Sequence, residues 1–165
     1  MKVVDKMTVK NKLSTFYFLY LAGMGVYYTF LGVYFETELF MSKTQIGLFW
    51  TVAPLFALVS SPISGALADI YKNTKRIISI LVVTAALLIS TVSMISGVMV
   101  IFVLVAFEFL RAPIMPLTDS YIIGLSKSHH FRYSPIRTMG SLGWIIGSLV
   151  IARIVGDNVT IIFLF

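Results

Sequence analysis

The chain has 165 residues, of which 58% are hydrophobic and 12% charged, with a net charge of +6 and no cysteine. Apolar runs of about 20 residues recur, each long enough to cross a hydrocarbon core of roughly 30 Å, so the composition excludes a soluble domain. The missing cysteines exclude disulfides and thiolate metal sites, and the excess of Lys and Arg, which alone would suggest nucleic acid, is accounted for by where those residues lie.

Residues 1–12 are polar and basic, with Lys2, Lys6, Lys10 and Lys12 against Asp5. The first span, 13–35, is too long for a signal-peptide core and lacks a small-residue cleavage site, so it reads as a retained membrane helix. It carries Tyr17, Tyr20, Tyr27, Tyr28 and Tyr34. Tyr27 and Tyr28 lie too deep to be interfacial anchors and call for a hydroxyl partner or a cavity. Gly23, Gly25 and Gly32 permit close helix approach. A short acidic loop follows, and Ser42 with Gln45 fits a capping box opening the second span, 45–68. Pro54 and Pro62 lie within it. A basic turn, 69–76, leads to the third span, 77–96, and Gly97 is almost the whole connection to the fourth, 98–125. A second basic loop containing His129 and His130 precedes the fifth span, 134–155. A sixth is expected to begin at Val159.

The fourth span has three charges in its apolar body: Glu108, Arg111 and Asp119. At 100° per residue they share one stripe with Met115. A charge at mid-bilayer costs about 2.5–3.5 kcal/mol, so this stripe is expected to face protein or a wet cavity. Pro113 and Pro116 should weaken the backbone ladder beside it and kink the helix. In span five, Gly140, Gly143 and Gly147 with Ser141 and Ser148 form a small-residue face suited to helix packing. Trp50 and Trp144 read as packing residues. Counting Lys and Arg, ten lie on the N-terminal side of the expected topology and two, Lys43 and Arg153, on the other. That asymmetry predicts a cytoplasmic N-terminus in the cell membrane.

Four patterns resemble the Major Facilitator Superfamily, most nearly its phenylpropionate-permease-like branch of proton symporters related to the lactose permease group. They are Phe18 to Tyr28 in span one, Gly65-Ala-Leu-Ala-Asp69 at the cytoplasmic end of span two, Arg111-Ala-Pro-Ile-Met-Pro-Leu-Thr-Asp119, and Tyr133-Ser-Pro-Ile-Arg137 followed by Gly140-Ser-Leu-Gly143. The resemblance implies an all-α, polytopic membrane bundle corresponding to the N-terminal half of a two-half fold, with substrate at the midplane between halves. It implies a cytoplasmic gate at Gly65, Asp69, Lys75 and Arg76. The loop motif departs from the family pattern: Ile70 replaces the usual cation after Asp69, and Asn73 is expected to supply the left-handed turn usually made by Gly.

Two readings of Glu108 and Arg111 stay open. Either Glu108 binds a proton while Arg111 orients a polar or anionic solute, or the two form a neutralised pair that holds span four to its neighbours. Asp119 is a second protonation candidate, and a structural tie from Asp119 to Arg137 is favoured over a proton relay. Tyr27 and Tyr28 are candidate solute-binding hydroxyls. Asp69 reads as a gate contact or as a cap. No motif for catalysis, phosphate binding, a metal or a cofactor is present. The expected function is secondary transport of a small organic solute with protons by alternating access, as part of a longer protein with a C-terminal half or partner helices. The alternative is a non-transporting membrane interaction protein or truncated remnant that needs a partner chain.

Overall fold

The computed structural model describes residues 3–154 and 162–163, without the side chains of 3–6 and 129. Apart from Ile162 and Phe163, the expected sixth span lies outside the described residues. Six helices follow one another: α1 (Val3–Thr37), α2 (Lys43–Tyr71), α3 (Thr74–Ser90), α4 (Val98–Arg111), α5 (Ile114–His129) and α6 (Ser134–Ile154). A short 3₁₀ turn, Thr91–Met94, extends α3. No strand occurs among the described residues. With α4 and α5 taken as one rod, five segments are long and apolar enough to cross a membrane: Met7–Thr37, Lys43–Tyr71, Thr74–Met94, Val98–Ser128 and Ser134–Ile154. The chain is a multi-pass membrane helix bundle.

The helix boundaries have local causes. α1 begins ten residues before the expected span, because no Gly or Pro precedes Gly23 and the polar Lys-rich start is itself compatible with helix. Ser42 and Gln45 form the reciprocal capping box at the start of α2. The Ser42 amide donates to Gln45 Oε1 at 2.8 Å, and the Gln45 amide donates to Ser42 Oγ at 3.3 Å. At the α2–α3 turn the left-handed residue is Lys72 (φ 50°), not Asn73 as expected from the motif. Asn73 has a second use: its Oδ1 accepts from the Arg76 amide at 3.1 Å and caps α3. Gly97, at φ 67° and ψ −147°, turns the chain into α4 through a conformation that side chains rarely adopt.

The chain divides into two compact units. One comprises α1 through Tyr34, α5 from Ile122, and α6. Its α1–α6 crossing is made by backbone approach. A Cβ on Gly143 would collide with the Phe18 carbonyl group, and one on Gly147 with the Ala22 carbonyl group. From the other side, a Cβ on Gly25 would meet the Trp144 oxygen at 2.6 Å and Ser148 Oγ at 2.9 Å. Glycine on both helices is therefore what permits the contact. Tyr28 stacks on Trp144 (centroids 5.9 Å apart), and the Thr29 and Ser148 hydroxyls are 3.0 Å apart. Tyr34 meets Phe163 edge-on at 4.7 Å. Gly32, also expected to aid approach, faces open space.

The other unit runs from Phe35 to Tyr121, with α2, α3 and α4 packed on one another. Phe35 meets Phe49 at 4.8 Å, Phe49 meets Trp50 at 5.5 Å, and Phe56 meets Phe109 at 6.5 Å. The buried stripe of α2 consists of Phe49, Ala53, Ser60, Ser64 and Ala68, whereas Leu48, Leu55, Leu58, Val59 and Ile63 point outward. Small and polar residues inside with large apolar ones outside is the arrangement expected where lipid replaces water.

Candidate functional site

α4 is apolar from Val98 to Phe107, and its last turn presents the charges. The i,i+3 spacing places Arg111 one turn beyond Glu108 on the same side. There the guanidinium Nη2 and Nε both donate to Glu108 Oε2, at 2.5 and 3.1 Å. Glu108 is 3% exposed and the Arg111 side chain 22%. A carboxylate taken this far from water needs a countercharge, and removing one partner of such a pair costs about 3–5 kcal/mol.

The helix breaks directly after the pair. Ala112 keeps helical angles and its amide donates to the Glu108 carbonyl at 3.0 Å; the Leu117 amide donates to the Pro113 carbonyl at 3.1 Å. Between them, Pro113 and Pro116 have no N–H, so the carbonyls of Phe109 and Ala112 lose their usual partners four residues on. The break expected from the two prolines therefore falls at Ala112–Pro113. Beyond it, Thr118 Oγ1 donates to the Ile114 carbonyl at 2.6 Å, and Asp119 is half-buried on α5.

The remaining candidates are placed as follows. Tyr27 is buried and meets Tyr28 edge-on at 5.0 Å, while Tyr28 stacks on Trp144, so both rings belong to aromatic packing around α1 and α6. Arg137 is exposed near the start of α6 with its guanidinium carbon 5.8 Å from the centre of the Tyr17 ring. Asp119 and Arg137 belong to different units. Gly65 and Asp69 lie in the last two turns of α2, with Asp69 exposed, and Lys75 and Arg76 are exposed in the first turn of α3. Asp69 caps neither helix: Lys72 and Asn73 hold those positions. Among the described residues Asp69 makes no ion pair, and no group of three or more His, Cys, Asp or Glu could hold a metal. His130 is exposed with φ 52° at the end of α5.

One residue escaped the sequence reading. Ser60 is 1% exposed, and among the described residues its hydroxyl has no hydrogen-bond partner. The spacing of Ser60 and Ser64, continued by Ala68, is a small-residue stripe that could have marked the inward face of α2.

Charge buried inside an apolar helix, next to a proline break, defines a class: multi-pass membrane proteins that carry charged groups into the bilayer. Comparison with known proteins gives the family. The MFS_1 like family matches residues 11–163, and the chain belongs to it. "Uncharacterized transporter YwbF" of Bacillus subtilis (strain 168) is 24% identical over 156 residues, which are 93% of this chain and 39% of that protein. "Maltose permease" of Geobacillus stearothermophilus is 26% identical over 158 residues, 94% of this chain and 40% of the permease. "Raffinose permease" of Escherichia coli is 30% identical over 139 residues, 78% and 32%. The chain thus spans 40% or less of the length of these relatives. No solved structure matches it.

Proposed function

We propose that this chain is the N-terminal bundle of a secondary transporter that carries a small saccharide together with protons by alternating access. The observation that carries the proposal is the buried Glu108–Arg111 pair. A sugar offers hydroxyls, each able to donate and accept, and a carboxylate with a forked guanidinium supplies both complements. Two relatives named for maltose and raffinose support a saccharide over an organic acid or nucleoside. Family membership and the 40% or lower coverage support a longer protein that binds solute between two halves. The motif stretch Arg111 to Asp119 supports the proton-symporter branch.

Glu108 takes the proton, with Asp119 as second candidate, and Arg111 holds the solute. In this scheme Gly65, Asp69, Lys75 and Arg76 form the cytoplasmic gate. The N-terminus faces the cytoplasm. The test is uptake by the full protein in proteoliposomes under an imposed pH gradient, with a disaccharide, a trisaccharide, an organic acid and a nucleoside offered in turn. The expected outcome is gradient-driven accumulation of a saccharide, lost in Glu108→Gln. Accumulation that survives in both Glu108→Gln and Asp119→Asn removes the proton assignment. Binding of the acid or nucleoside in preference to either sugar removes the substrate assignment.

A further inference from the structure

Among the described residues the buried Ser60 hydroxyl has no partner, Pro113 leaves the Phe109 carbonyl without its usual amide, and α2 packs on α4. Two contacts set the register. The starts of the two helices line one cavity, where Gln45 lies with Gly97 and Val98. Eleven residues on from Gln45 and from Val98, Phe56 meets Phe109. The helices therefore run in the same direction, and continuing that offset one turn further brings Ser60 to the level of Pro113. Both are fully buried. Among the described residues, nothing partners the Ser60 hydroxyl. Helix carbonyls point toward the C-terminus, so the Phe109 carbonyl, which Pro113 deprives of an amide, is directed to that level. A buried polar group without a partner is costly, and this register brings such a donor to the level of an acceptor that proline deprives of its usual amide.

We propose that Ser60 is a positioning residue: its hydroxyl serves the Phe109 carbonyl, after a rotation of the side chain or through one bound water. In this way α2 clamps the joint that follows Arg111 and holds the charge pair at its depth. The role as a positioning residue rests on the transport reading; the hydrogen bond does not.

The test is a double-mutant cycle on the full protein in nanodiscs, read by amide hydrogen exchange over residues 112–117. Ser60→Ala should speed exchange there roughly five-fold, the factor that about 1 kcal/mol of hydrogen bonding gives. In a Pro113→Ala background, where residue 113 regains an amide for the Phe109 carbonyl, the same substitution should change exchange by less than about two-fold. If Ser60 is merely an orphaned hydroxyl, Ala relieves its burial and exchange is unchanged or slower in both backgrounds. That outcome, or an equal acceleration in both, overturns the proposal. Because transport is not measured, a failed uptake assay leaves this result standing.

Discussion

Replacing Gly143 by Ala adds one methyl group at the α1–α6 crossing, and that methyl has nowhere to go. Its Cβ would lie 2.9 Å from the Phe18 carbonyl carbon and 3.0 Å from the Phe18 Cα, and nearer still to the Phe18 oxygen. Carbon contacts are comfortable at about 3.5–4.0 Å. The obstructing atoms are backbone, so no side chain can swing aside, and the helices must separate by roughly 0.5–1 Å. Such a gap forfeits about a quarter to a half of the attraction of each flanking contact, and overpacking of this kind costs about 1–3 kcal/mol. Alanine recovers about 0.5–1 kcal/mol as the better helix former. The net expectation is a loss of about 1–2 kcal/mol. Gly32→Ala is the matched control, because a Cβ there meets nothing within 4 Å and only the helix-propensity gain remains. The two substitutions should therefore move in opposite directions and differ by the overpacking cost, about 1–3 kcal/mol. Thermal unfolding of the detergent-solubilised protein, followed by size-exclusion recovery, reads the difference. A Gly143→Ala protein that melts at or above the wild type, alongside Gly32→Ala, would refute the backbone-approach account of this crossing.

Arg111→Met should remove the guanidinium partner of the buried Glu108 carboxyl, costing about 3–5 kcal/mol. Adding Glu108→Gln should recover most of that loss in the same melting assay, and no recovery would mean the two residues act separately. Gly97→Ala should destabilise by about 1–3 kcal/mol through backbone strain alone, since its Cβ would meet nothing within 4 Å; wild-type melting would contradict that. The chain has no cysteine, so its orientation can be tested with single thiols. An impermeant maleimide added to intact cells should label Glu38→Cys and spare Lys127→Cys, and the reverse pattern would invert the topology.

The helices were legible because the membrane makes them so: without water, backbone groups must be satisfied within each segment, and five apolar runs leave little choice. The Gly143–Gly147 face was legible for a related reason, since small residues four apart have one obvious use in lipid. The Glu108–Arg111 pair followed from helical spacing alone. What could not be read were features that depend on which neighbour a side chain meets. Tyr27 and Tyr28 were expected to need a hydroxyl partner or a cavity because of their depth, and nothing in the sequence showed that their rings meet each other and that Tyr28 stacks on Trp144. At the α2–α3 turn two adjacent polar residues could each have taken the left-handed position. Lys72 takes it because Asn73, with its short carbonyl-bearing side chain, is the better cap for α3. Ser60 gave no signal in isolation, because one serine in an apolar helix can bond back to its own backbone. Its burial is a tertiary fact.

The charge pair sits where α4 ends, and that position matters to its stability. Arg111 closes the last turn of α4, where the helix dipole is negative and where the prolines remove two amide donors. A cation there is favoured by the dipole whatever its side-chain partner, whereas the bond to Glu108 needs both members of the pair. Restoring the ladder with Pro113→Ala and Pro116→Ala would carry the helix past Arg111 and move the dipole's negative end away from it, so that the guanidinium would depend more on the pair. Glu108→Gln should therefore destabilise the protein more in that background than in the wild type, read by the same melting assay. An equal loss in both backgrounds would confine the prolines to helix shape.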